Sequence, residues 1–282
     1  MKNAIITGAD GGMGREHTLL LAKAGYNIIM TTSKQQKGEK ACEELKQKTQ
    51  WEHISVLQLN LEDFDAITNF CKNINIEQID VLLNNAGTLP SVPKTTKQGF
   101  DYTIGVNFLG HFLLTELLSP RFVAGTKIVN MVSLTYKYGK ITDNIFAPTL
   151  THYNRFVNYS NSKLALYYAT LYWAEKWKDK NILVNCADPG IVNTKIITMN
   201  NKIVDTLCNI FFRPIIRTPQ QGADTMSYIA INDINNLSGE MFKNRKKQQI
   251  ADKIKKSPQK DLLIKQTFEV LAPYLSPQTT MK

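Results

Sequence analysis

KNAIITG (2–8) runs without a break into TGADGGMG (7–14), and how this junction is read decides the fold. A short apolar run gives way to a turn holding four glycines, and a stretch with helical spacing follows at 13–24. Glycines let the chain turn tightly and let backbone N–H groups approach a pyrophosphate at a helix N-terminus. The spacing is Gly8-x-x-x-Gly12-x-Gly14, with Gly11 as an extra, and not the common G-x-G-x-x-G. A strand before the turn, a helix after it and its place on the first strand predict a dinucleotide-phosphate loop rather than a plain glycine turn.

The same alternation continues outward. Strands are expected at 26–32, 54–60, 79–85, 127–133 and 182–188, and helices near 37–49, 63–75, 99–118 and 157–178. Short runs that are apolar on both faces suit a buried parallel sheet. Strand–helix alternation throughout implies βαβ units. The expected fold is α/β: a single doubly wound Rossmann-type domain, with a central parallel sheet of about seven strands and helices on both faces. It spans 1–244, and a basic helical appendage follows at 245–282.

YSNSK (159–163) raises a separate question, because Tyr-x-x-x-Lys occurs three times, at Tyr136/Lys140, Tyr159/Lys163 and Tyr172/Lys176. With 11 Tyr and 28 Lys in 282 residues, chance supplies about one such pair. Helical phase separates them, since residues i and i+4 share a face only on a helix. Tyr136 and Lys140 fall in a loop with Gly139. Tyr172 and Lys176 lie 13 residues beyond the middle pair, about 220° round the helix at 100° per residue. They are expected to face away from it, toward solvent or a partner subunit. Tyr159 and Lys163 alone combine a helix start with a strand-end serine, Ser133, upstream. A phenol titrates near 10, so proton transfer near pH 7–8 asks for a shift of about two to three units, roughly 3–4 kcal/mol. A neighbouring ammonium, together with the positive charge of an oxidised nicotinamide, shifts it that way.

With these residues in view, the chain resembles the short-chain dehydrogenase/reductase family over about 3–243. The carriers are Thr7-Gly8-x-x-x-Gly12-x-Gly14, Asn84-Asn85-Ala86-Gly87, Asn107 within VNFLGHFLLT, Ser133, Tyr159-x-x-x-Lys163 and Pro189-Gly190. The 26-residue step from Ser133 to Tyr159 and the runs KGEKACEEL, SKLALYYATL, DPGIVNTKI and RTPQQGAD are similar to its retinol-dehydrogenase-like branch. The resemblance implies Tyr159 as general acid/base, with Lys163 on the nicotinamide ribose. It implies that Ser133 polarises the substrate oxygen and that Asn107 holds a relay water. It implies cofactor contacts at Gly8, Asp10, Gly11, Gly12, Met13, Gly14, Arg15, Ser33, Lys34, Asn60, Leu61, Asn85, Ala86, Gly87, Tyr159, Lys163, Pro189, Gly190, Val192 and Thr194. Segment 193–217 corresponds to the family's substrate lid, and its many Ile, Met and Phe residues suggest a lipophilic alcohol or carbonyl such as a retinoid, steroid, prenol or fatty aldehyde. Relatives often pair through the helices carrying Asn107 and Tyr159, so a homodimer is an inherited expectation.

The end of the second strand bears on the cofactor. A carboxylate there would bind the ribose 2′-OH and select NAD. MTTSKQ (30–35) has none, and Ser33, Lys34 and Arg15 offer donors for a 2′-phosphate. NADP is therefore expected, with NAD as the alternative. Asn60 stands where the family usually has Asp, and its amide oxygen can still accept from the adenine amino group. Asp188 stands where many relatives of the branch have His.

Bulk composition excludes other classes. No run of about 18 apolar residues is present, so no transmembrane helix is expected, and the N-terminal strand leaves no room for a signal peptide. Four scattered cysteines suggest free thiols in a reducing, cytoplasmic setting, and neither Cys nor His has metal-ligand spacing. The net charge of +10 is concentrated in KNRKKQQIADKIKK (243–256). That run is expected on a solvated helix face, with peripheral membrane contact as its functional alternative. It matches no nucleic-acid reader motif. The competing function class is an NAD(P)-binding sensor or scaffold without turnover, against which the complete Asn107–Ser133–Tyr159–Lys163 set argues.

Overall fold

A computed structural model describes residues 1–148, 153–192 and 216–275. Eight strands form one sheet in the order β3-β2-β1-β4-β5-β6-β7-β8. They are β1 (Asn3–Ile6), β2 (Asn27–Thr32), β3 (Ile54–Gln58), β4 (Ile79–Asn84), β5 (Phe122–Met131), β6 (Leu183–Asp188), β7 (Met241–Lys243) and β8 (Lys246–Lys247). All neighbours pair parallel except β7 and β8, which form an antiparallel hairpin. The parallel part has seven strands, in line with the expected sheet of about seven; six of them match runs located in sequence, and β7 and β8 are additions. Strand order reverses between β1 and β4, so the loops after these strands open a crevice at the carboxyl edge of the sheet, where ligands of such folds bind.

The helices are α1 (Gly12–Lys23), α2 (Gln35–Thr49), α3 (Phe64–Asn73), α4 (Tyr102–Ile104), α5 (Gly110–Leu118), α6 (Arg155–Lys176), α7 (Pro219–Ile231), α8 (Asp252–Lys255) and α9 (Gln259–Leu275). Local chemistry sets their starts. Asp63 accepts from the amides of Asp65 and Ala66, and Asn154 from those of Phe156 and Val157. Thr218 and Gln221 close a capping box on α7. One apolar cluster fills the face under α3, α5, α6 and α9, and the other lies under α1, α2 and α7.

Three expectations are corrected. The helix expected at 99–118 is broken into α4, a π turn (Gly105–Leu109) and α5. The basic run 243–256 is not one helix face, because Asn244 and Arg245 take positive φ and turn the chain into β8. Several of its charges are paired, Lys243 with Asp188 at 3.4 Å and Lys247 with Glu240 at 2.7 Å. The solvent-facing expectation holds for Lys176, which is exposed, but Tyr172 is half-buried. Tyr172 packs on Phe112 and Phe268, and Lys176 reaches Glu116 at 2.6 Å. Tyr136 likewise is buried against Tyr167.

Phe268 belongs to α9, which packs on α5 and α6, the helices expected to meet a partner subunit. Leu263 and Leu271 of α9 are fully buried in the shared core. Leu263→Ala is expected to lower the unfolding free energy by about 2–5 kcal/mol, measured by urea denaturation. A loss under about 0.5 kcal/mol would show that α9 is only loosely attached.

Candidate functional site

The crevice is built first by the glycine turn. Gly8 takes φ +63°, and a side chain there would press on Ala86 at 3.0 Å. A Cβ at Gly14 would collide with the Gly8 carbonyl oxygen and reach the Ala9 Cα at 2.6 Å. The turn therefore folds back on α1 with no room for side chains. Gly11 caps α1 without a side-chain hydrogen bond, and the first turn of α1 has no acidic residue. A helix start left this way favours an anion.

Thr7 joins the two loops of the crevice. Its hydroxyl accepts from the amides of Asn85 and Ala86, both at 2.9 Å, and Asn85 Nδ2 donates to the Thr7 carbonyl at 2.8 Å. Six of the residues expected at the cofactor, Gly8, Ser33, Asn60, Leu61, Ala86 and Gly87, line a single cavity of about 220 Å³. Thr31, Leu59, Thr88, Tyr102 and Val106 complete it. These five escaped the sequence reading because they sit beside the motifs rather than in them. Asn60 is tied to Glu62, donating to its carboxylate at 3.2 Å and accepting from its amide at 3.3 Å.

At the 2′-phosphate end, Arg15 is ion-paired with Glu44, and Lys34 starts α2 with its side chain exposed. Asp10 is engaged by Lys37. Met13 lies beneath Gly222 of α7, where a Cβ would meet its sulfur at 2.8 Å. These features fit a dinucleotide. The residues would hold its pyrophosphate by α1 and its adenine in the cavity.

At the other end, the Ser133 side chain lies close enough to the Tyr159 phenol to favour its ionised form. Lys163 is buried, its Nζ 5.4 Å from the Tyr159 ring centroid and donating to the Met131 carbonyl at 2.8 Å. Asn107 accepts from the Thr88 amide at 2.7 Å and donates to the Thr88 carbonyl at 3.0 Å and to Ser162 Oγ at 3.1 Å. A Cβ at Gly87 would sit 3.5 Å from Asn107 Oδ1 and 3.7 Å from Lys163 Nζ. Asn107, Ser133, Tyr159 and Lys163, distant in sequence, thus converge beside the loop after β4. Pro189 accepts from Arg217 at 3.3 Å, Gly190 takes φ +76°, and Val192 is buried and bridged to Arg217. Thr194 and most of segment 193–217 lie outside the described residues.

The chain's own groups do not lower the Tyr159 phenol toward neutrality. Burial, reinforced by the Asp188 carboxylate, raises it to about 12 against the lowering effect of Ser133. Lys163 gives it little relief, because burial without an acidic partner lowers the ammonium itself to about 8. Asp188 is nearly inaccessible. One oxygen accepts from the Gly190 amide at 3.2 Å, and the other is 3.4 Å from Lys243 but has no hydrogen bond.

No helix among the described residues is long and apolar enough to cross a membrane. The short chain dehydrogenase family model matches residues 2–204. Retinol dehydrogenase 13 of Homo sapiens is 30% identical over 256 residues, covering 88% of this chain and 77% of that protein. Retinol dehydrogenase 11 of Mus musculus is 35% identical over 247 residues, covering 86% and 77%. Among solved structures, an uncharacterized protein from Mycobacterium Paratuberculosis superposes with a TM-score of 0.76 at 25% identity, covering 96% of this chain and 94% of that one. A short chain dehydrogenase from Burkholderia cenocepacia in complex with NADP gives 0.69 at 19% identity, covering 86% and 95%, a likeness of fold. Sequence and architecture agree that this chain belongs to the short-chain dehydrogenase/reductase family, in its retinol-dehydrogenase-like branch.

Proposed function

We propose that the chain is an NADP-dependent oxidoreductase that interconverts a lipophilic alcohol and its carbonyl. The observation that carries this reading is the convergence of Tyr159 with buried Lys163 and Asn107 beside the glycine loop after β4, with Ser133 next to the phenol. When bound, the nicotinamide cofactor supplies or accepts the hydride. Ser133 donates to the carbonyl oxygen of the substrate, and Tyr159 delivers its proton to the alkoxide that forms there. A phenol held near 12 is fully protonated at neutral pH, the state needed for reduction. Oxidation requires Tyr159 to lose that proton, so positive charge beside it matters more in that direction. Lys163 is placed to hold the ribose and to contribute that charge.

Two features support the finer assignments. The end of β2 carries Ser33 and Lys34 and no carboxylate, with Arg15 nearby in sequence on α1, which favours a 2′-phosphate. Leu134, Tyr138, Phe156, Val157 and Ile191 are exposed, and each lies within five residues of Ser133, Tyr159 or Gly190. An apolar mouth of this kind suits a hydrocarbon substrate. The test is a panel of alcohols and aldehydes of increasing chain length, read by NADPH absorbance. Turnover is expected to improve with hydrocarbon length, and KM for NADPH to lie at least about tenfold below that for NADH, the worth of one charge-assisted hydrogen bond. A clear preference for NADH would overturn the NADP assignment. Absence of turnover across the panel would favour a binding protein without catalysis.

A further inference from the structure

Asn107 lies in the π turn, where a backbone bond runs from Gly110 to Gly105. Its carbonyl meets a side chain: His111 Nδ1 lies 3.1 Å away. A carbonyl only accepts, so Nδ1 must carry the imidazole proton. His111 Nε2 faces the Thr7 hydroxyl at 3.0 Å. That oxygen already accepts from the amides of Asn85 and Ala86, which occupy both its lone pairs. It can only donate, and Nε2 is a nearer acceptor than the Leu83 carbonyl at 3.3 Å. Both ends require the same neutral tautomer. The ring is fully buried and its pKa is lowered to about 4, first by burial and further by the Lys163 charge, against the bond to Asn107. A directed chain results, from the amides after β4 through Thr7 and His111 to the Asn107 carbonyl. The Asn107 side chain continues it to Ser162, which donates to the Tyr159 carbonyl at 2.7 Å.

We propose that His111 is a positioning residue that holds the Asn107 carbonyl in register with the cofactor loop after β4, acting through Thr7. The proposal rests on the oxidoreductase reading, but half of its test does not. The two nitrogens can be separated by substitution. His111→Asn places an amide near the Nδ1 position, keeping a donor for Asn107 and losing the acceptor for Thr7. His111→Gln places an amide oxygen near the Nε2 position, keeping the acceptor for Thr7 and losing the donor to Asn107. With decanal and NADPH, His111→Gln is expected to lower kcat about tenfold while KM for NADPH stays within about twofold. His111→Asn should raise KM for NADPH by a similar factor and leave kcat nearly unchanged. Equal effects of both variants on both constants, or no effect, would overturn the proposal and leave His111 as core packing. The wild-type protein provides the independent measurement. Nitrogen-15 histidine NMR at pH 7 should show one imidazole with Nδ1 protonated and Nε2 bare, unchanged down to about pH 5. If His111 carries its proton on Nε2, or becomes cationic near neutrality, the proposal fails whether or not decanal is turned over.

Discussion

Tyr159→Phe is expected to lower kcat for carbonyl reduction by about 10²–10⁴-fold, the usual contribution of a positioned general acid. The ring that lies 5.4 Å from Lys163 is retained, so packing changes little and the variant should bind NADPH within about twofold of wild type by fluorescence titration. Retention of more than about a tenth of wild-type kcat would remove Tyr159 from its assigned role. The pH profile gives a second reading. Because Tyr159 is raised to about 12 and Lys163 lowered to about 8, the first group to lose its proton as pH rises is Lys163. The reductive rate should be flat through neutrality and fall as pH passes about 8. Lys163→Arg, which keeps its charge, should move that limb upward. A limb that stays in place would assign it to another group.

Gly14→Ala is expected to weaken NADPH binding by at least about fivefold in a fluorescence titration. The added Cβ has no free direction. It meets the Gly8 carbonyl oxygen, the Ala9 Cα at 2.6 Å and the Gly8 carbonyl carbon at 3.0 Å, all backbone. Flexible side chains could yield, but here the glycine turn or α1 must move. Displacing a packed element by one methyl costs about 1–3 kcal/mol, equivalent to roughly five- to a hundredfold in affinity. Gly11→Ala is the control, since a Cβ there meets only the Gly8 oxygen at 3.6 Å. The control should keep the melting temperature of wild type, and Gly14→Ala should lower it by several degrees, about 2–4 °C per kcal/mol for a chain of this size. Equal behaviour of the two variants would show that the turn is not sterically locked.

The doubly wound sheet was legible because buried parallel strands leave uninterrupted apolar runs, as ILVNCAD at 182–188 does. Helical phase, the strand-end Ser133 upstream and the glycine turn together singled out Tyr159 and Lys163. What was not legible depended on contacts across the fold. The π turn follows where Gly105 approaches Thr96 and Gly110 approaches Leu61, neighbours with no mark in local periodicity. Tyr172 and Lys176 were expected toward solvent or a partner subunit because helical phase says which face they share but not that Phe268 of α9 packs on Tyr172 there. The share of the Tyr159 shift that the chain's own groups set was not legible for a similar reason. Spacing places an ammonium near the phenol, whereas the depth of both groups and the nearby Asp188 are properties of the assembled core. β7 and β8 are too short to give a recognisable pattern.

The β7–β8 hairpin ends the sheet in a particular way. An exposed parallel edge offers unpaired backbone groups to any extended chain, and large sheets of this type risk adding strands from neighbouring molecules. Here the last strand is two residues long, antiparallel to its neighbour, and made of Lys246 and Lys247, both exposed. A foreign strand would find two hydrogen-bonding positions and two ammonium groups. The densest part of the chain's basic charge therefore works as a guard against aggregation, stopping sheet growth within a single molecule.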